Sequence, residues 1–176
     1  MARHQQLLQL IELFQPKTIV EVGTWSGFNA VNMIRQAQRH HKHISYVGYD
    51  LFEDASAETD ATEFNVKKHC ASYTVLDKIK RKCPDADVNL IKGNTRDTLK
   101  SVTADFVFID GGHSVDTIAH DYRALKDSSI IVLDDYYSVD EDGKCPDTDL
   151  VGCNELVWNL SRTHVLPVKD KLKDGG

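Results

Sequence analysis

The chain has 176 residues, 41% hydrophobic and 27% charged, enough for one globular domain with a full core. Its formal net charge of -6 argues against a nucleic-acid partner, since phosphate binding rests on Lys and Arg. No stretch reaches the roughly 18 apolar residues of a membrane span and no basic-then-apolar leader opens the chain, so a small-molecule partner and a cytoplasmic location are the expectations.

Leu7, Leu8, Ile11 and Phe14 share one face of a helix predicted over residues 2–14, which Pro16 stops. The run Thr18-Ile-Val-Glu21-Val-Gly23-Thr-Trp-Ser-Gly27 follows: a β-branched strand that ends near an acid, turns on two glycines and becomes a helix over 27–40. Glycines there let the backbone approach a ligand closely. A dinucleotide site asks for three glycines as G-x-G-x-x-G, and Trp25 stands where the second belongs, so that match fails. Ser26 is one position late for a hydrolase elbow. His40, His41 and His43 then read as a solvated helix end rather than a metal site.

Further strands are predicted at 44–50, 87–92, 105–110 and 129–134, with helices at 62–82, 95–100 and 115–126. This alternation predicts an α/β, Rossmann-like, doubly wound and mostly parallel sheet with helices on both faces, and such sheets bind ligands at the carboxyl ends of their strands. Polar residues collect at those ends. Asp50 can accept hydrogen bonds from both hydroxyls of a ribose while Leu51 or Phe52 covers a base. Asn94 and Thr95 can meet the base edge or cap the next helix. Asp110, with Gly112 and His113 after it, closes the fourth strand; Asp134 and Asp135 close the fifth. Two carboxylates about 4 Å apart repel by about 4 kcal/mol at an effective dielectric near 20. A hard divalent ion such as Mg²⁺ relieves that repulsion, as does one neutral or solvent-turned Asp.

The segments Glu53–Glu63 and Ser138–Gly152 read as binding loops or lids beside these ends. Tyr136 and Tyr137 can line a pocket beneath them, whereas Trp158, in a helix-like run over 155–160, is expected in core packing. Asp140 to Gly143 with Asp149 lacks the first Asp and last Glu of a calcium loop. Cys70, Cys83, Cys145 and Cys153 form no C-x-x-C pair and are expected as thiols.

Together, Glu21-Val-Gly-Thr-Trp-Ser-Gly27, Phe108-Ile-Asp-Gly-Gly-His-Ser114 and Ile131-Val-Leu-Asp-Asp-Tyr136 resemble small bacterial class I S-adenosylmethionine (SAM) dependent methyltransferases, a group similar to catechol-type and macrolide-sugar O-methyltransferases. The resemblance covers residues 17 to 137. It implies one domain over 1–176: an N-terminal helix to residue 16, a cofactor and metal core over 17–137, and substrate loop and C-terminal elements over 138–176. It implies SAM contacts from Glu21, Gly23, Asp50 and Asn94, with Thr24, Gly27, Leu51, Thr95 and Asp110 on the same side. Asp110, Asp134 and Asp135 would hold Mg²⁺. The implied reaction is metal-assisted methylation of a hydroxyl on a small molecule, with Asp110 and His113 in the catalytic role and His113 as the proton acceptor; a His113 that only bonds the following turn is the alternative. A methyltransferase-like binding or assembly protein without turnover is the rival reading.

The C-terminus departs from that family. Thr163 to Val168 can form a sixth strand, but nothing after Asp174-Gly175 supplies a seventh. The sheet either ends there or has its edge covered by a partner, such as a second copy in a homodimer.

Overall fold

The structure, a computed structural model, describes residues 3–65, 68–139 and 145–166. Five short strands, β1 (Thr18–Val22), β2 (Ser45–Asp50), β3 (Asp87–Lys92), β4 (Phe106–Ile109) and β5 (Ile130–Leu133), pair in the order β3-β2-β1-β4-β5, every pair parallel. In the centre Val20 lies between Val47 of β2 and Val107 of β4. The strands β1, β4 and β5 are near-continuous apolar runs because helices cover both faces, whereas the edge strand β3 carries Asp87, Asn89 and Lys92.

Side chains alternate between the faces. Ile19, Tyr46, Phe106 and Phe108 pack under α1 (Arg3–Phe14), α2 (Phe28–Ala37) and α4 (Ser72–Lys82), against residues such as Ile11, Met33, Ile34 and Ile79. Val20, Val22, Tyr49, Val107 and Ile109 face the other way, against Leu99 after α5 (Thr95–Thr98) and Leu125 of α6 (Val115–Leu125). The expected doubly wound architecture is observed, and it places every β-to-α turn along one edge of the sheet. Among the described residues no helix is long and apolar enough to cross a membrane.

Three expectations are corrected. Of the helix expected over 62–82, α4 covers Ser72–Lys82, and a separate helix, α3 (Ala57–Thr62), precedes it. Ser56 and Thr59 form a reciprocal capping box that starts α3 early, and Phe64 turns the chain out of it at φ 54. The Glu53 carboxylate then accepts from the amide (2.7 Å) and hydroxyl (2.8 Å) of Ser72, which opens α4. Trp158 belongs to α7 (Asn154–Trp158) but is 62% exposed, not in the core. Thr163 to Leu166 are not a strand. The rest of that stretch, the Asp140–Gly143 run and Asp174-Gly175 lie outside the described residues.

The histidines after α2 are tied down rather than merely solvated. His41 Nε2 donates to the Gln15 carbonyl (2.9 Å), His43 Nδ1 to that of Asp85 (3.4 Å), and His40 Nε2 lies 3.1 Å from Glu12 of α1. All four cysteines are free thiols.

Candidate active site

A cavity of about 370 Å³ opens at the carboxyl edge of the sheet, within the size range of small-molecule sites. Its floor begins at the β1–α2 turn. The Gly23 amide donates to the Tyr49 carbonyl (2.8 Å) and the Asp110 amide to that of Val22 (2.8 Å), drawing the ends of β1, β2 and β4 together. Gly23 has φ 90, and a Cβ there would run into the Asp110 carbonyl, so no other residue fits. Trp25 holds φ 44 two residues on, strain that cavity walls commonly carry.

Asp50, at the end of β2, faces this turn. Its Oδ2 accepts from the Trp25 amide (2.7 Å) and its Oδ1 from the Phe52 amide (2.6 Å). Burial pushes its pKa up, while those two amides pull it down. Each carboxylate oxygen has a second acceptor site, so a ligand hydroxyl can still be received by a group whose orientation is already fixed. Leu51 follows it on the cavity wall. Asn94 and Thr95 line the far side; the Asn94 Oδ1 accepts from the Arg96 amide (2.9 Å), the capping role, with its amide nitrogen not used in that cap. Thr24, Asp110 and His113 complete the predicted residues that reach the cavity.

Glu21 and Gly27 do not line it. Alternation along β1 sends Glu21 to the same face as Ile19, where it is fully buried and accepts from the Tyr46 hydroxyl. Thr24 Oγ1 lies 3.3 Å from that hydroxyl, which links Glu21 to the turn from below. Burial pushes the Glu21 carboxyl up to about 8 against the Tyr46 hydrogen bond, which pulls it down; nearby Asp50 adds a smaller upward push. Gly27 is spent on packing: a Cβ would come within 2.9 Å of Val75 on α4.

The three carboxylates are not brought together as a metal-holding set. Among the described residues no three His, Cys, Asp or Glu side chains form a group able to hold an ion. Asp135 adopts φ 56 and directs its carboxyl to protein groups, the Tyr137 hydroxyl donating to Oδ1 at 3.2 Å and His113 Nε2 lying 3.5 Å from Oδ2. Asp134 and Asp135 are not cavity walls.

Several residues that shape the site are not in the predicted set. The α3 segment forms the wall opposite the sheet edge, bringing Asp60, Glu63 and Asn65 to the cavity. Asp60 Oδ1 accepts from Asn65 (3.2 Å) and from His69 Nε2 (2.8 Å). The Trp25 indole donates to the Lys68 carbonyl (2.7 Å), tying this wall to the β1–α2 turn. Asn154 holds the strand-five loop in a two-point clamp: its Oδ1 accepts from the Tyr137 amide (2.9 Å) and its Nδ2 donates to the Tyr137 carbonyl (2.7 Å). Nothing local to these residues signals such roles, except the Ser56-x-x-Thr59 pair that places α3.

A family model described as "Methyltransferase domain" matches residues 20–136. Among solved structures the chain is similar to the O-methyltransferase NovP, with TM-score 0.56, 19% identity, 74% of this chain and 65% of that one covered. It is also similar to a candidate O-methyltransferase from Klebsiella pneumoniae, with TM-score 0.52, 21% identity, and 85% and 64% covered. Cofactor-bound Rv0187 from MTB gives TM-score 0.51, 22% identity, and 81% and 64% covered. These likenesses are of fold, and the chain spans less than two thirds of the length of each of the three. No curated protein matches the sequence.

Proposed function

The chain belongs to the methyltransferase-domain family, and on that premise we propose that it transfers a methyl group from SAM to a hydroxyl of a small molecule. The observation that carries this reading is Asp50, a partly buried carboxylate held by two backbone amides on the wall of a cavity bounded by the Gly23 turn. Such a group suits a ribose, whose adjacent hydroxyls need acceptors of fixed direction. Leu51 would cover the adenine, Asn94 and Thr95 would meet its edge, and Thr24 and the Gly23 backbone would hold the methionine end.

When bound, SAM supplies a methyl group already electrophilic on its sulfonium. The chain must then hold a hydroxyl in line and remove its proton. We assign that task to His113. Its Nδ1 lies 2.8 Å from the Glu63 carbonyl, which only accepts, so Nδ1 carries hydrogen and Nε2 is left to take the substrate proton. Asp135 Oδ2, 3.5 Å from Nε2, stabilises the imidazolium that forms. The sulfur would be the leaving group and keep the bonding pair, so the chain's own task is to place and deprotonate the hydroxyl. Because Asp110, Asp134 and Asp135 are not arranged as a ligand set, no step is assigned to Mg²⁺.

Transfer of labelled methyl from SAM to a panel of sugars, catechols and other small hydroxyl compounds tests the proposal. Turnover that His113→Gln lowers by about 100-fold or more, with S-adenosylhomocysteine (SAH) affinity kept, supports it. SAH binding without transfer to any member of the panel would favour a binding or assembly protein. Mg²⁺ stimulation that Asp110→Ala removes would restore the metal.

A further inference from the structure

Glu63 makes more contacts across the cavity than its place after α3 requires. Its Oε2 accepts from the Ser114 amide (3.1 Å) and hydroxyl (2.8 Å), and its Oε1 from the Thr117 hydroxyl (2.6 Å). Ser114 is the N-cap of α6 and its Oγ also accepts from the Thr117 amide (3.4 Å), so the carboxylate ends a chain of donors at a helix N-terminus, where negative charge is favoured. The same residue's backbone carbonyl receives His113 Nδ1. Gly112 makes room for this docking: a Cβ there would lie 2.5 Å from Glu63 Oε2 and 2.7 Å from Thr117 Cγ2.

From this geometry we infer that Glu63 is a positioning residue for the methyl transfer: docking its carboxylate on the start of α6 brings its carbonyl to His113 and sets the ring in its proton-accepting tautomer. The inference rests on the proposed role of His113.

Two acceptors compete for one ring hydrogen. The Glu63 carbonyl at 2.8 Å from Nδ1 is at full hydrogen-bond distance, whereas Asp135 Oδ2 at 3.5 Å from Nε2 is beyond it. With Glu63 docked, Nδ1–H wins and Nε2 presents a lone pair. With Glu63 displaced, the acceptor that the described residues leave beside the ring is the Asp135 carboxylate, which draws the hydrogen to Nε2. The ring then has no lone pair on the nitrogen that should receive the substrate proton. The wall that closes the cavity therefore also arms its base.

Nitrogen NMR of the histidine rings, at a pH where His113 is neutral, reads this directly in the full chain. The wild-type protein should show His113 as Nδ1–H. Glu63→Ala, which removes the carboxylate anchor, and Gly112→Ala, which evicts it sterically, should both show Nε2–H and lower kcat at least tenfold, with Glu63→Gln intermediate because its amide oxygen still accepts one hydrogen bond. Val157→Ala, away from the cavity, controls for general loosening. Nδ1–H persisting in both folded variants, or a lowered kcat with no tautomer change, would overturn the inference. A wild-type protein with the expected tautomer but no SAH binding would instead defeat the methyltransferase reading and leave the tautomer result standing.

Discussion

Replacing Glu21 with Gln should remove a steep pH dependence from the stability of the fold. The carboxyl titrates at 4.5 when unfolded and is pushed up to about 8 when folded, by burial against Tyr46 on the core face of β1. A raised folded pKa gives stability that is fully present below pH 4.5 and is lost as pH rises through about 8. At about 1.36 kcal/mol per pH unit between those limits, the wild-type side chain costs the folded state about 1 kcal/mol at pH 5 and between about 4 and 5 kcal/mol at pH 8.5. Gln keeps an acceptor for the Tyr46 hydroxyl and does not titrate. The offset between the two proteins at one pH includes any cost of fitting the amide, but its change with pH does not. Urea unfolding of both proteins from pH 5 to 8.5 should therefore move the difference by about 4 kcal/mol in favour of Gln as pH rises. Parallel pH profiles would refute the reasoning and mean that Glu21 titrates as an ordinary carboxyl.

Gly23→Ala places a Cβ against the Asp110 carbonyl at φ 90, and should cost more than about 3 kcal/mol in urea unfolding while abolishing SAH binding; an unchanged midpoint would contradict the close approach. Asn154→Ala leaves the Tyr137 amide and carbonyl without their clamp, at about 2 kcal/mol, and should raise KM for the hydroxyl substrate with SAH affinity unchanged; loss of SAH binding instead would place the strand-five loop on the cofactor side. Glu53→Ala frees the start of α4 from the turn after β2, so hydrogen exchange at Ser72 and its neighbours should accelerate, which slow exchange in the variant would contradict.

The strands and their ligand edge were legible because a parallel sheet with both faces covered needs short apolar runs, as β1, β4 and β5 have. The carboxyl ends of the strands carry Asp50, Asn94 and Asp110, so the sheet-edge side of the cavity could be read without coordinates. Glu21 shares the parity of Ile19, and both faces of β1 are covered, so its side chain lies within the packing. What could not be read depends on distant segments meeting. Glu63 finds Ser114 and Thr117 across about 50 residues, and its part depends on Gly112 having no side chain. The break between α3 and α4 depends on Glu53 reaching Ser72. Asp135 is adjacent to Asp134 in sequence, but φ 56 and the Tyr137 hydroxyl set its carboxylate toward His113, so three acids at neighbouring strand ends do not become one ligand set.

Calorimetric titration with SAH, on the wild-type chain and on Asp50→Ala, tests the central claim most directly. One site per chain is expected in the wild type, with binding lost in the variant and the same fold in both by circular dichroism. A wild-type protein that is folded and takes up no SAH, with or without Mg²⁺, would contradict it.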